Sequence, residues 1–414
     1  MKERILRAAA APEVSLVLAG RDVLFGLEGD GWGIRLRAAA GALAPEDVPS
    51  GSGPAFSLHA PDHVWAALLS ASPAPGEQSV VHLVRTGRIV LSGDADAYAR
   101  HLTLVRTLLD AARAVGLGDA SPEARPFGPA RPLRARGEYR RVSSALGTAD
   151  VHVERCGRGT PVLALATAGS DTTQWHGLMT ETDLTDRYEL VTVDLPWHGR
   201  SSPAFGVPIG GWRLTPASYT DFLVAAADAI GLDRPLLLGA SMAGAAVVHA
   251  VATRPDRFGG AVSCQAGVRV QGRSVPQLRA PGVDQSTFVP EWTYGLMNPA
   301  SPPEFRKRVW WGYSSGGSGL YAADIDSYQQ WDLDEVADLL TAASPHIAVL
   351  SGRYDTTVPP DASRALAAAI PNASFREMPE LGHFPHAEDP AAFARHLEPA
   401  LERVRDADPV RRRR

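Results

Sequence analysis

The chain contains little cysteine and no excess of positive charge. Its 414 residues include two cysteines, Cys156 and Cys264, so no disulfide framework is predicted and a cytoplasmic location fits. Both cysteines stand in or beside apolar, strand-like runs, where small buried hydrophobic residues are common. The formal net charge of −5 at pH 7 argues against a nucleic-acid-binding surface, so no nucleic-acid partner is expected.

No segment for export or membrane insertion is predicted from the sequence either. No stretch approaches the roughly 18 uninterrupted apolar residues of a membrane span, so none is expected. The N-terminus starts with basic residues and an alanine run, but Arg7, Pro12 and Glu13 interrupt the apolar core that a signal peptide needs. The segment 409–414 ends in four arginines, which we interpret as a solvated basic tail; contact with an anionic partner is the alternative.

Motifs for cofactors are absent as well. The sequence has no phosphate-binding loop and no dinucleotide fingerprint. His383 and His386 stand three residues apart in a proline-containing loop, which is a weak pair for metal binding. We therefore expect neither a metal nor an organic cofactor.

Chain length and one proline-rich segment predict how the chain divides. A chain of 414 residues is too long for one ordinary core. Residues 118–137 are rich in Pro, Gly, Ala and Arg and lack periodicity, which is typical of a linker. We expect an α+β domain over residues 1–117 and a larger domain over 138–408.

The N-terminal segment alternates strand and helix patterns. Strands are predicted at 22–29, 31–39, 55–61 and 86–94, and helices at 60–71 and 94–116. The runs FSLHAPDHVWAALL and GRIVLSGDADAYARHL make most of residues 15–116 resemble the sterol-carrier-protein-like domain family. The resemblance implies an apolar lipid-binding tunnel and a substrate-holding or docking role. The alternative is a packing module without a ligand.

The larger segment alternates apolar strands with amphipathic helices, after a starting antiparallel pair of strands. Strands that are apolar almost throughout predict a mostly parallel sheet covered on both faces, with the active site where strands end. The predicted strands are 161–167, 189–197, 235–240, 259–267, 346–352 and 373–379, and the helices 217–232, 242–258, 361–370 and 389–405.

A serine between small residues follows one of these strands. Ser241 lies in GASMAG, after the run RPLLL and before a helix. A nucleophilic serine on a strand-to-helix turn usually occurs as G-x-S-x-G, but here Ala243 occupies the last position and Gly244 follows. Taken alone, the motif is compatible with a nucleophile or with a serine that caps the helix.

An acid and a histidine follow two later strands. Asp355 comes after the strand at 346–352, and Asp361 is the better candidate to cap the next helix. His383 comes after the strand at 373–379. The order Ser, Asp, His at successive strand ends is that of an α/β-hydrolase triad, and it is more specific than any single motif.

Acyl-transfer chemistry also needs backbone donors for an oxyanion. The residue after the nucleophile supplies one N–H group, here that of Met242. The second donor comes from the loop after the strand at 161–167, and we assign it to Ala168. Proteins with the α/β-hydrolase triad order often carry His-Gly where this chain has Ala166 and Thr167. A backbone donor does not depend on those side chains.

Residues 138–408 resemble the α/β-hydrolase fold superfamily, in its esterase/lipase-like and carbon–carbon-hydrolase-like branch. The resemblance rests on GASMAG, on DLPWHGRSSP (194–203) and on GHFPHAEDP (382–390). It implies that Ser241, Asp355 and His383 form the triad. A serine nucleophile disfavours epoxide-hydrolase and haloalkane-dehalogenase chemistry. The pairing with a sterol-carrier-like N-terminus looks like an actinobacterial-type architecture, which names no substrate.

The segment 268–332 breaks the strand–helix rhythm and is rich in aromatic residues. In the superfamily this position holds a helical cap, so we expect a cap whose aromatics line a large apolar or aromatic pocket. The alternative is that these side chains form the cap's own core. The predicted pocket residues are Trp292, Trp310, Trp311, Tyr313, Tyr321 and Trp331.

Three functions are compatible with these patterns. The first is a serine hydrolase acting on an ester, thioester, lactone or activated carbon–carbon bond of a small-molecule substrate. The second keeps the triad but transfers the acyl group, eliminates a leaving group or cyclises the substrate. The third is a non-catalytic lipid-binding or scaffold protein, supported by Ala243 and the missing His-Gly. The sequence leaves the oligomeric state open.

Overall fold

The computed structural model describes residues 1–46, 53–117, 132–270, 272, 274–317, 319–408 and 410. The chain divides into two compact units, Met1–Arg125 with Pro276–Gly295, and Pro126–Val275 with Leu296–Arg414. Most of the predicted linker (118–131) and of the predicted basic tail (409 and 411–414) lies outside the described residues. The segment 276–295, predicted as part of the cap, belongs to the first unit.

Strands occur in both units, and their bounds lie close to the apolar runs of the sequence. They are β1 (Val23–Gly29), β2 (Trp32–Ala39), β3 (Ala42–Pro45), β4 (Phe56–His59), β5 (Val90–Gly93), β6 (Arg136–Ser144), β7 (Gly147–Gly157), β8 (Thr160–Leu165), β9 (Tyr188–Val193), β10 (Leu236–Ala240), β11 (Ala261–Cys264), β12 (Ile347–Gly352) and β13 (Ala373–Met378).

Helices connect these strands. Throughout the described part of the chain, none combines the length and apolar character that crossing a bilayer requires. The α-helices are α1 (Lys2–Ala9), α2 (Pro12–Leu16), α3 (Asp62–Leu68), α4 (Val80–Arg85), α5 (Ala95–Arg100), α6 (Leu102–Leu117), α7 (His176–Glu181), α8 (Leu184–Arg187), α9 (Pro216–Ile230), α10 (Met242–Thr253), α11 (Gln285–Tyr294), α12 (Pro303–Ser314), α13 (Leu320–Gln329), α14 (Pro360–Ala369), α15 (Pro385–Glu388) and α16 (Pro390–Ala407).

The first unit is built on a sheet whose described strands run in the order β3-β2-β1-β4-β5. β1 pairs antiparallel with β2 and parallel with β4. Phe25 on β1 stacks on Phe56 on β4, with ring centroids 5.5 Å apart, in the apolar core. The single helix predicted at 94–116 is two helices, α5 and α6, which meet at His101.

Helix α11 completes this first unit from a distant part of the sequence. Glu291 on α11 is buried, and its carboxylate forms a two-pronged ion pair with Arg106 on α6, with Arg106 Nη2 3.1 Å from Glu291 Oε1. Arg106 also binds Asp110 one turn along α6. A buried carboxylate needs such a partner because desolvation penalises its charge.

The second unit contains a larger sheet, whose described strands run in the order β13-β12-β11-β10-β8-β9-β7-β6. β6 and β7 form the antiparallel pair predicted at the start of the domain, and neighbouring strands from β9 to β13 pair parallel. Every residue of β10, β11 and β12 is buried, because helices cover both faces. The fold class, a mostly parallel α/β sheet plus a smaller N-terminal sheet domain, is confirmed.

Candidate active site

Ser241 occupies a strained turn between β10 and α10. Its φ of +60° and ψ of −123° lie where a residue with a side chain rarely occurs. It stands at the N-cap position of α10, yet its side chain makes no capping hydrogen bond. Its backbone N–H donates to the carbonyl of Cys264 at 2.9 Å. The side chain of Ser241 therefore does not cap α10, which argues against the helix-cap alternative for GASMAG.

The small residues around Ser241 are required by close packing. A Cβ atom on Gly239 would lie 2.4 Å from the carbonyl oxygen of Ala243, and one on Gly244 would lie 2.3 Å from that of Cys264. Both distances are below any normal contact. Ala243 is fully buried, so its methyl group is accommodated. Gly239 and Gly244 are therefore two positions beside Ser241 at which a larger side chain has no room, whereas the methyl group of Ala243 fits.

Asp355 and His383 are brought together by the loops after β12 and β13. His383 Nδ1 lies 2.6 Å from Asp355 Oδ2, and both side chains are buried. Because a carboxylate only accepts, Nδ1 carries the proton, and whenever the imidazole is neutral its lone pair is on Nε2. The other oxygen, Asp355 Oδ1, accepts from the N–H groups of Thr357 (2.8 Å) and Val358 (3.0 Å).

These contacts keep Asp355 ionised. Burial alone would raise its pKa, but His383 and the N–H groups of Val358 and Thr357 outweigh burial and hold the pKa of Asp355 below its usual range. The carboxylate is therefore charged at neutral pH and can orient His383 and stabilise its protonated form.

The strand order places the three predicted catalytic residues along one edge. β10, β11, β12 and β13 are parallel neighbours, so the loops that carry Ser241, Asp355 and His383 leave the sheet on the same side. Ser241 is 1% exposed, so the hydroxyl group lies in a largely water-excluded environment. This arrangement suits a nucleophile, an acid and a base.

The loop after β8 holds Ala168 between residues whose amides are already used. The N–H of Thr167 donates to Gln174 Oε1 at 3.1 Å, and that of Gly169 to Asp324 Oδ2 at 2.7 Å. The N–H of Ser170 donates to the carbonyl of Thr167 at 3.1 Å. Met242 is the first residue of α10, where helix N–H groups have no partner within the helix. Both positions suit the oxyanion donors that the sequence predicts.

Asp324 on α13 braces this loop through a hydrogen bond to Gly169. Its buried carboxylate accepts from Gly169, from Trp212 Nε1 (2.8 Å) and from His198 Nε2 (2.9 Å). The chain lacks His-Gly at 166–167. Instead, the loop is held by the bond to Asp324 and by the bond between Thr167 and Gln174. The sequence singled out His198 only as part of the DLPWHGRSSP loop, and it missed Asp324.

The predicted pocket residues fall into different places. Trp292 lies on α11 of the first unit. Trp331 is buried and donates its indole N–H to the carbonyl of Gly267 at 2.8 Å. Trp311 is 69% exposed and, with Phe305 and Val309, lines a cavity of about 440 Å³ whose lining residues do not include Ser241, Asp355 or His383.

Two tyrosines of the predicted pocket lie beside the Ala168 loop. The hydroxyl of Tyr313 is 2.7 Å from Thr167 Oγ1, and its ring packs edge-on against Phe384, next to His383. Tyr321 packs against Gly169, which has no room for a Cβ atom. Trp310 is half-buried on α12. The assignment of all six aromatics to a substrate pocket stays a prediction.

Comparison with known proteins gives the family. The alpha/beta hydrolase family model matches residues 162–396, and the chain belongs to that family. The match begins within β8, extends past β13 and includes all three predicted catalytic residues. No curated protein sequence matches the chain significantly.

Solved structures share the fold of the second unit. A thermophilic esterase from Thermogutta terrifontis, solved with malate bound, has a TM-score of 0.55 and 24% identity, over 66% of this chain and 100% of the esterase. An enol-lactonase from Burkholderia xenovorans LB400 has a TM-score of 0.54 and 20% identity, over 61% and 97%. A hydrolase from Pseudomonas aeruginosa PA01 has a TM-score of 0.54 and 20% identity, over 66% and 99%. These likenesses concern the fold alone.

Proposed function

We propose that this member of the alpha/beta hydrolase family is a serine hydrolase whose nucleophile is Ser241. The observation that carries the proposal is the strained, non-capping conformation of Ser241 at the sheet edge that also carries the hydrogen-bonded pair of Asp355 and His383. A strained backbone at a strand end persists only when the surrounding structure imposes it, and such sites are typically functional.

The mechanism assigns one task to each group. His383 Nε2 takes the proton of Ser241 as its oxygen attacks the acyl carbon, and Asp355 stabilises the imidazolium that forms. The N–H groups of Ala168 and Met242 donate to the oxyanion of the tetrahedral intermediate. The leaving group takes the proton from His383. Water, activated by the same histidine, then releases the acyl group from Ser241.

We propose an ester, thioester, lactone or activated carbon–carbon bond in a fairly large apolar or aromatic molecule as the substrate. Tyr313, Tyr321 and Phe384 support the aromatic preference because they lie beside the Ala168 loop and His383. The esterase and the enol-lactonase of the same fold support acyl chemistry.

A second candidate uses the same triad for acyl transfer, elimination or cyclisation. It is favoured by the burial of Ser241, at 1% exposure, and of His383, because exclusion of water lets another acceptor compete for the acyl group. Reaction in water enriched in the heavy oxygen isotope separates the two, since hydrolysis alone transfers the label to the acid product.

The triad is tested with a series of p-nitrophenyl esters and a fluorophosphonate probe. Ser241→Ala is expected to abolish labelling and to lower kcat by about 10⁴-fold or more. Ser263→Ala is the matched control, since it removes a buried hydroxyl from neighbouring β11 that bonds to the carbonyl of Gly244. Undiminished turnover in Ser241→Ala would overturn the assignment. Absence of labelling in the unmodified protein would favour the non-catalytic alternative.

The first unit is proposed to be a sterol-carrier-like module that holds an apolar ligand. Its five described strands and the helices α5 and α6 carry the motifs on which the resemblance rests. Solvent extraction of the purified protein followed by mass spectrometry tests this: co-purified lipid supports the module, whereas no binding of added fatty acids or sterols contradicts it. The cytoplasm stays our proposal for the compartment.

A further inference from the structure

A buried glutamine stands where the three predicted catalytic loops meet. Gln265 follows β11 directly and is completely buried. Its φ of +52° lies in the left-handed region, which a residue with a side chain adopts at a cost. Strain at a buried polar residue calls for an explanation, and the hydrogen bonds of the side chain supply one.

The side-chain amide of Gln265 joins two loops through opposite ends. Its Oε1 accepts from the N–H of Gly352 at 3.0 Å, and its Nε2 donates to the carbonyl of Gly382 at 2.6 Å. The loops approach so closely that a Cβ atom on Gly352 would lie 2.3 Å from the Gly382 oxygen. Both partners are backbone groups, so they cannot rotate away to other partners.

These bonds close a ring around the acid and the histidine. The carbonyl of Gly352 accepts from the N–H of Asp355 at 3.2 Å. Asp355 binds His383, and the Gly382 carbonyl belongs to the peptide that leads into His383. The ring therefore runs from Gln265 through Gly352, Asp355, His383 and Gly382 back to Gln265. The Gln265 bridge therefore couples the position of Asp355 to that of His383, together with the bond from the N–H of Tyr354 to the carbonyl of Leu381 at 3.0 Å.

The nucleophile is attached to the same point. The peptide group between Cys264 and Gln265 accepts the Ser241 N–H through the Cys264 carbonyl at 2.9 Å. Its own N–H, that of Gln265, donates to the carbonyl of Leu350 on β12 at 3.1 Å. Gln265 and the peptide group that precedes it thus connect the backbones of Ser241, Asp355 and His383.

We propose that Gln265 is a positioning residue that holds His383 at the correct distance and angle between Asp355 and Ser241. The proposal rests on the proposed serine-hydrolase function. The bridge must accept at one end and donate at the other, and an amide does both at every pH. Leucine does neither, and an ionised glutamate accepts at Gly352 but faces the Gly382 carbonyl with a second acceptor.

The experiment compares Gln265→Leu and Gln265→Glu with Ser363→Ala as the matched control. Ser363 is also fully buried, and its hydroxyl donates to the carbonyl of Ala266, the next residue along, outside the ring. Gln265→Leu is expected to lower kcat about 10²-fold, with KM little changed, because the bound substrate meets a misaligned base. The rate of fluorophosphonate labelling should fall in parallel. Ser363→Ala should keep both rates.

The pH dependence of Gln265→Glu separates positioning from a structural role. Below the pKa of the introduced carboxyl, its protonated form donates to the Gly382 carbonyl and restores the ring; above it, the bond is lost. Because burial raises the pKa of a carboxyl group at this position, the ratio of kcat in this variant to kcat in the unmodified protein is expected to rise as the pH is lowered from about 9 to about 5. This series is measured on one folded protein, so it also covers the case in which Gln265→Leu does not fold.

The outcomes distinguish this proposal from the function on which it rests. If the unmodified protein is labelled at Ser241 but the Gln265 variants keep their kcat per labelled site, with a flat pH ratio, Gln265 has a structural role only. If the unmodified protein is not labelled and Ser241→Ala keeps full activity, the serine-hydrolase proposal itself fails.

Discussion

His198 and Asp324 form a buried ion pair beside the Ala168 loop, with His198 Nε2 2.9 Å from Asp324 Oδ2. His198 Nδ1 lies 2.9 Å from the carbonyl of Pro196, which only accepts. Both ring nitrogens face acceptors, so both carry protons and the imidazole is positively charged. Burial alone would lower the pKa of His198, but Asp324 and the Pro196 carbonyl raise it above its usual value.

Asp324→Asn is therefore expected to disturb oxyanion stabilisation. The two oxygens of the carboxylate accept from Gly169, His198 and Trp212. An amide has one oxygen that accepts and an NH₂ group that only donates, so at least one bond to the loop or its neighbours is lost. We expect kcat to fall on the order of 10²-fold, the usual cost of one oxyanion donor, with little change in KM. The matched control is Asp326→Asn, an exposed carboxylate on the same helix. Equal kcat in both variants would contradict the bracing role.

Asp355→Asn tests how His383 is oriented. Asparagine can keep an oxygen toward Thr357 and Val358, so its NH₂ group faces His383 Nδ1 and favours the tautomer protonated at Nε2. That tautomer cannot take a proton from Ser241, and kcat is expected to fall about 10⁴-fold. Asp361→Asn is the control, since its side chain is 97% exposed. Steady-state kinetics that show a loss below tenfold would exclude Asp355 as the orienting acid.

Glu388 should make stability depend on pH. Burial raises its pKa to about 8, and its carboxyl group accepts from the N–H of Gly382. The native state keeps the proton up to about pH 8, whereas the unfolded chain releases it near its ordinary value of 4.5. The unfolded state binds fewer protons in that window, so the free energy of unfolding falls as the pH rises through it.

Glu388→Gln removes this titration and keeps an oxygen for Gly382. The two proteins should be similarly stable below about pH 4.5, and the variant should gain a few kcal/mol relative to the unmodified protein by about pH 8. Urea unfolding across this pH range measures the difference, with exposed Glu335→Gln as the control. If the difference in the free energy of unfolding between the two proteins does not change with pH, Glu388 is already ionised in the native state.

Gly244→Ala tests the close approach behind the Ser241 turn. The added Cβ atom would lie 2.3 Å from the Cys264 carbonyl, and moving that backbone costs about 1–3 kcal/mol of stability. Gly312→Ala on α12 is the matched control, because its Cβ atom would meet only Ser170 Oγ at 3.9 Å. Better helix propensity should make that control neutral or slightly stabilising. Thermal unfolding of both variants gives the comparison.

Apolar runs predicted the larger sheet well because its strands are buried on both faces. The run at 346–352 became β12 at Ile347–Gly352, for example. Helix starts were harder to predict. Asp361 was the better candidate to cap its helix, but α14 begins after Pro359, and Asp361 lies inside the first turn. Proline presets the backbone there, so no side-chain cap is needed.

The three catalytic candidates could be found from the sequence because each follows its own strand in a fixed order. Gln265 could not, although it too follows a buried strand. Its partners Gly352 and Gly382 are 87 and 117 residues further along the chain, and the bonds use their backbones, which leave no sequence pattern. Asp324 was hidden for the same reason, since Gly169 binds it across 155 residues.

The ion pair of Arg106 and Glu291 determines where this protein can be divided. Expression of residues 1–117 alone would leave the Arg106 guanidinium without its buried carboxylate partner, and the half that starts after the linker would carry α11 without its packing surface. The aromatic pair of Phe288 and Trp292 would then face water and favour aggregation. A divided form that keeps the first unit whole therefore needs the segment Pro276–Gly295 as well as the N-terminal residues.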